Sequence, residues 1–122
     1  MEFEKWVPIE GIPEKMDLMA LHQDQEGFRL LLIDEEGFKL LRIYFVPFLS
    51  YRSSDEMNLP RTMSEVEVGG VFFIVRDSEF VKWFLRENLG TYPPDNVVHY
   101  AIYTEDACVD VITSSAPKVE WL

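Results

Sequence analysis

The chain has one cysteine, two histidines and half as many basic as acidic residues, and each shortage removes a class of function. Cys108, alone, cannot close an intramolecular disulfide or supply a multi-cysteine zinc site. With His22 and His99 the only imidazoles, no spacing in the chain gathers a metal-ligand set, so neither a metal nor any other cofactor is expected. Eleven lysines and arginines against 22 acids leave a formal net charge of −11. Nucleic acid is then an improbable ligand, because its binding needs cations set against phosphates. Anionic membrane surfaces are disfavoured on the same ground. No apolar run approaches the ~20 residues of a membrane span. The opening MEFEKWVPIEG lacks a basic stretch leading into an apolar one, so it does not read as a secretory signal, and the cytoplasm is the expected compartment. Glycine-rich phosphate loops are missing too. Gly69-Gly70 has no lysine and serine after it, and neither G-x-G-x-x-G nor G-x-S-x-G occurs.

What is present is a globular composition. Of 122 residues, 48% are hydrophobic and 14% aromatic, enough for a single domain over 1–122 with its own core. The clearest local signal is a short tandem similarity. Asp24 to Ile33 reads DQEGFRLLLI and Asp34 to Ile43 reads DEEGFKLLRI, matching at the Asp, Glu, Gly, Phe, both Leu and the Ile. Asp, two polar residues and Gly describe a turn that closes on a left-handed glycine, used twice in a meander. Strands are expected at about 16–23, 28–33 and 38–47, with Phe28 and Phe38 opening the second and third. Apolar residues on both sides of these strands imply cover on both faces.

The covering element is a helix over about 78–89. Ser78 is a good N-cap, Phe80, Trp83 and Phe84 fall at helical spacing, and Pro93-Pro94 prevent resumption. VFFIVR at 71–76 reads as a strand, and 97–104 with 108–113 as a hairpin about Glu105-Asp106. Residues 48–68 have no clear pattern. The expected class is α+β: a largely antiparallel sheet of five or six strands, built from the N-terminal meander and the C-terminal hairpin, with one main helix packed on it.

No catalytic set emerges. Cys108 has Glu105, Asp106 and Asp110 as chain neighbours, which push a thiol away from reactivity, and ACVDVI suits a buried strand. The acidic pairs fall in turns, where solvation explains them. Two groups of residues stand out as binding candidates. Tyr51, Arg52, Asp55 and Glu56 follow a strand and bring tyrosine and arginine, the types favoured at interfaces, beside paired acids. An internal ion pair of Arg52 with Asp55 or Glu56 is the other reading of the same stretch, and both stand open. Trp83, His99, Tyr100 and Tyr103 could line a pocket between helix and sheet.

LRIYF with SYRSSDE, FFIVRDSEFVKWF, and VVHYAIYTEDACVDVI with a closing AP-x-V-x-W together resemble a group of small bacterial proteins associated with the accessory and immunity-type proteins encoded near toxins. The resemblance covers residues 38–121 and implies a cytosolic, non-enzymatic protein; it carries over no site. Two functions are therefore expected to compete. One is a non-catalytic protein-binding domain, immunity-type, with an acidic surface for a basic protein partner. The alternative is a small-molecule-binding protein or minor enzyme using the aromatic pocket. Neither oligomeric state nor partner identity is written in the sequence.

Overall fold

The computed structural model describes all 122 residues, Met1–Leu122. Nine strands and two helices run in the order β1 (Glu2–Lys5), β2 (Met16–Asp24), β3 (Gly27–Asp34), β4 (Leu40–Phe45), β5 (Ser50–Asp55), α1 (Pro60–Glu65), β6 (Phe72–Arg76), α2 (Glu79–Glu87), β7 (Val98–Tyr103), β8 (Ala107–Thr113) and β9 (Lys118–Trp121). Short 3-10 turns occupy Glu56–Asn58 and Pro94–Asn96.

The pleat decides the layering. Along β3 and β4 the alternate residues Phe28, Leu30, Leu32, Leu41, Ile43 and Phe45 are all fully buried. Such a face needs an apolar partner layer. Phe72, Tyr100, Ile102, Val109 and Val111 of a second sheet supply it, in one continuous core. One sheet therefore has five strands in the order β1-β6-β7-β8-β5, and the other four in the order β2-β3-β4-β9, every pairing antiparallel.

The helices cover the far face of the five-stranded sheet. Phe3, Phe73, Val75, Ala101, Tyr103 and Cys108 of that face meet Leu59, Met63 and Val66 from α1 and its flanks. Phe80, Val81, Phe84 and Leu85 of α2 close over Val97 and Ile112.

The class is α+β and antiparallel, as expected, but the single sheet of five or six strands is two sheets of five and four. A strand apolar on both sides had implied a helix over the meander. Instead the meander's inner face is covered by the other sheet, and its outer face, with Leu31, Ile33 and Tyr44, stays half-exposed. Three strands carry too little pattern to be read: β1 turns in only Phe3, β5 is a polar edge, and β9 is four residues long. The main helix is found one residue inside its expected start, with the Ser78 hydroxyl accepting the Val81 amide at 3.0 Å. A second short helix, α1, lies in the stretch that had no clear pattern.

Candidate functional site

The helix-covered face of the five-stranded sheet is apolar except at its centre. Alternation along β7 puts His99, Ala101 and Tyr103 there, and alternation along β8 puts Cys108, Asp110 and Ile112 there. The β7–β8 register sets Ala101 opposite Asp110, so His99 and Tyr103 flank the carboxylate diagonally. On its other side β5 sets Arg52 opposite Asp110. The cap of α2 arrives from above. The result is a connected polar chain. Ser78 Oγ lies 2.6 Å from His99 Nδ1, and His99 Nε2 lies 2.6 Å from Asp110 Oδ1. The Tyr103 hydroxyl donates to the same oxygen at 2.8 Å, and Arg52 Nε donates to Asp110 Oδ2 at 3.1 Å. The Arg52 guanidinium also sits 4.3 Å from the centre of the Phe80 ring, whose edge-on neighbour is His99.

Hydrogen-bond accounting assigns the protons. The ionised Asp110 carboxylate can only accept, so His99 Nε2 carries a proton and donates to it. In the neutral imidazole Nδ1 is then bare and accepts the proton of the Ser78 hydroxyl, whose oxygen accepts the Val81 amide. His99 and Asp110 are each only 1% exposed. Burial pushes the Asp110 carboxyl upward, but the hydrogen bond from His99 and the positive charge that ring carries when protonated, the Arg52 charge and the Tyr103 hydroxyl outweigh it, and the net shift is down. Burial first and the carboxylate second hold the Tyr103 phenol far above its ordinary range, so it stays a donor.

The sequence places His99 in an aromatic pocket with Trp83, Tyr100 and Tyr103 and gives no sign of its actual partners, Ser78 and Asp110. Ser78 was read as a cap and Asp110 only as an acidic neighbour of Cys108. The one available signal was the polar residues at alternate positions in two otherwise apolar strands. His22 lies on the exposed stretch of β2, remote from both.

The expected Tyr51–Glu56 surface is divided by the pleat. Tyr51 faces the inter-sheet core and stacks on Phe28 at 4.4 Å, whereas Arg52 points to the opposite face. Arg52 pairs with Asp110 rather than with Asp55 or Glu56; Asp55 instead caps the following 3-10 turn through the Met57 amide. The expected pocket is divided too. Tyr100 belongs to the inter-sheet core against Trp6, while His99 and Tyr103 face the helices. Trp83 stacks on Phe80 and is half-exposed. A groove of about 300 Å³ does run under α2, but its walls include Ser78, Val81, Leu85, Val97 and His99.

The charge has a geography of its own. Backbone bonds tie the Glu56 amide to Asp106 and the Glu105 amide to Met16, and Met16 is paired with Asp34. One end of the sandwich thereby collects Glu14, Asp17, Asp34, Glu35, Glu36, Asp55, Glu56, Glu105 and Asp106 from four stretches of chain. Only Lys5, Lys15 and Lys39 accompany them, and the first two are paired, with Glu14 at 3.2 Å and Glu105 at 3.9 Å. Arg29, Arg42, Tyr44 and Lys118 line a groove on the outer face of the four-stranded sheet, toward the other end.

Cys108 is buried on the helix side, and burial, reinforced by Asp110, Glu56 and Asp55, pushes its thiol up to about 12. The folded chain should therefore react with Ellman's reagent at least about a hundredfold more slowly than the urea-unfolded chain at pH 8. Equal rates would mean that the α1 cover opens freely.

No group of three or more His, Cys, Asp or Glu side chains is placed to hold a metal ion, and no helix is long and apolar enough to cross a membrane. The chain is thus an antiparallel two-sheet sandwich with helices on one outer face and a buried Ser–His–Asp chain beneath them. No protein-family model matches it, and no curated protein or solved structure does.

Proposed function

We propose that the chain is a cytoplasmic protein-binding domain, of the immunity type, whose acidic end holds a basic protein partner. The observation that carries this reading is the convergence of nine carboxylates from four separate stretches on one end of the sandwich, with three lysines among them. A net charge of −11 spread evenly would serve solubility alone. Nine of the 22 acids gathered at one end with three lysines place about half of that charge there, which steers a cationic surface into a defined orientation and repels nucleic acid.

The test is a four-residue charge reversal, Glu35→Lys, Glu36→Lys, Glu105→Lys and Asp106→Lys, at turn positions whose side chains are largely solvated. A basic protein co-purified from the native host should associate at least tenfold more slowly with the variant. Association with the original chain should weaken steeply between about 50 and 300 mM salt. Association indifferent to both changes would sink the reading.

A second reading, a small-molecule-binding protein or minor enzyme, is favoured by the groove under α2, because its wall contains the hydrogen-bonded Ser78 and His99. Stabilisation by a metabolite pool in a thermal-shift assay, lost when Val81→Trp fills the groove, is the result this reading expects.

A further inference from the structure

We propose that Ser78, His99 and Asp110 form a nucleophilic site that takes a short, uncharged acyl group from an ester. The inference rests on the small-molecule reading of the groove under α2 and is independent of the acidic end.

Nucleophilic catalysis by serine needs a base within hydrogen-bond reach, a group that orients the base, and donors for the charge that develops on the substrate oxygen. The base is His99 Nδ1, 2.6 Å from Ser78 Oγ. Its orienting group is Asp110, 2.6 Å from Nε2. Either imidazole nitrogen can act as the base, and what holds the other one decides which. Here the carboxylate holds Nε2, with the ring turned over relative to the usual serine hydrolase arrangement. Arg52 and Tyr103 keep Asp110 ionised, so an imidazolium formed in the reaction is stabilised where it stands.

The third requirement is met by the position of Ser78 at the start of a nine-residue helix. The amides of Glu79 and Phe80 have no acceptor within the helix, and the helix dipole adds positive potential at that end. Asp77, in the left-handed region at φ 51°, turns the chain from β6 into α2, and Ser78, 5% exposed, lines the groove beside His99. Val81, Leu85 and Val97 form the apolar part of the groove wall, and the two cations that also line it are each paired with an acid, Lys82 with Asp77 and Arg76 with Glu4. A short aliphatic acyl group fits these walls; an anionic one finds no free partner.

In the reaction, Ser78 Oγ bonds to the ester carbonyl carbon as its proton passes to His99 Nδ1. The carbonyl oxygen becomes an oxyanion facing the Glu79 and Phe80 amides. Collapse breaks the bond to the alkoxy group, which leaves as the alcohol with the proton from Nδ1, and Ser78 is acylated. Water then attacks the acyl-serine, its proton moving through the same nitrogen, and the carboxylic acid is released.

An alkyl fluorophosphonate tests the site directly. Its reaction forms an Oγ–P bond, breaks P–F and releases fluoride with the hydroxyl proton. The full chain should gain one adduct, mapped to Ser78 by peptide mass spectrometry, and hydrolyse p-nitrophenyl butyrate. Ser78→Asn keeps a capping side chain, so it should melt within a few degrees of the original chain while losing both adduct and hydrolysis. His99→Gln should slow labelling at least a hundredfold. No adduct at Ser78 under conditions that label trypsin fully overturns the proposal. If a non-reactive butyl sulfonamide nevertheless raises the melting temperature, the small-molecule reading survives without the nucleophile; if it does not, both fall.

Discussion

Asp110→Ala should lower the free energy of unfolding by about 3–5 kcal/mol, read from urea denaturation at pH 7. The carboxylate is 1% exposed and accepts from His99, Tyr103 and Arg52. Removing it leaves a buried imidazole N–H and a buried phenol O–H without their protein partner, and each orphaned group costs on the order of 1–3 kcal/mol. It also leaves the Arg52 guanidinium facing an uncharged core, although half of that side chain reaches solvent and limits the added cost. A domain of this size has about 5–15 kcal/mol in total, so the variant should sit close to its unfolding limit. Arg52→Met, which keeps the stem over Phe80 and leaves Asp110 with two donors, should cost less than half as much. Equal costs at the two positions would show that the ion pair, rather than the buried hydrogen bonds, holds the chain together.

The same carboxylate gives the stability a direction in pH. Asp110 releases its proton more readily in the folded chain than in the unfolded one. Its contribution is therefore complete above the ordinary aspartate value of about 4 and is lost as pH falls through the lower folded value. Asp24, held to about 2 by the Arg29 guanidinium and the Glu26 amide, has the same sign, weakened by full solvent exposure. The gap in stability between the original chain and Asp110→Asn should accordingly narrow between pH 4 and pH 2.5. A gap that widened there would mean that the folded state binds the Asp110 proton more tightly.

Local structure was legible wherever one residue's chemistry decides it. Ser78 caps α2 because its hydroxyl reaches the third amide, and Pro93-Pro94 end what Asn88 and Gly90 begin; both can be read from composition and spacing. The hairpin of β7 and β8 was legible for the same reason. What could not be read is which apolar face meets which. Phe28 and Phe45 alternate identically whether a helix or a sheet covers them, because burial of apolar area carries no direction. The polar chain was hidden more thoroughly. Ser78, His99 and Asp110 lie 21 and 11 residues apart, and only the β7–β8 register and the docking of α2 bring them together. A register is a property of two strands at once, and neither strand's sequence states it.

Phe28→Ala should cost about 3–5 kcal/mol, seen as a fall in melting temperature of roughly 10–20 °C, whereas Phe38→Ala should stay within about 0.5 kcal/mol of the original chain. The two phenylalanines occupy the same position in the tandem DxEGF stretch, yet Phe28 is 0% exposed and Phe38 is 84% exposed. The two turns close differently. Asp24 pairs with Gly27 across a two-residue turn, with the Arg29 fork on both Asp24 oxygens at 2.9 Å, and Phe28 takes the first inward position. There it packs on Phe45, Phe48 and Tyr51. Lys39 in the second copy has no fork to offer, and its amine lies over Trp121 instead. The Asp34 carboxylate accepts the Phe38 and Lys39 amides while its own amide donates to the Lys39 carbonyl at 3.1 Å, strand pairing runs from Ile33 with Leu40, and Phe38 is carried out of the pleat on a longer loop. Lys39→Arg alone should not rescue burial of Phe38, because Ile33 opposite Leu40 already fixes the register. Similar losses at Phe28 and Phe38 would show that the two turns are equivalent after all, and would contradict the register of β3 with β4.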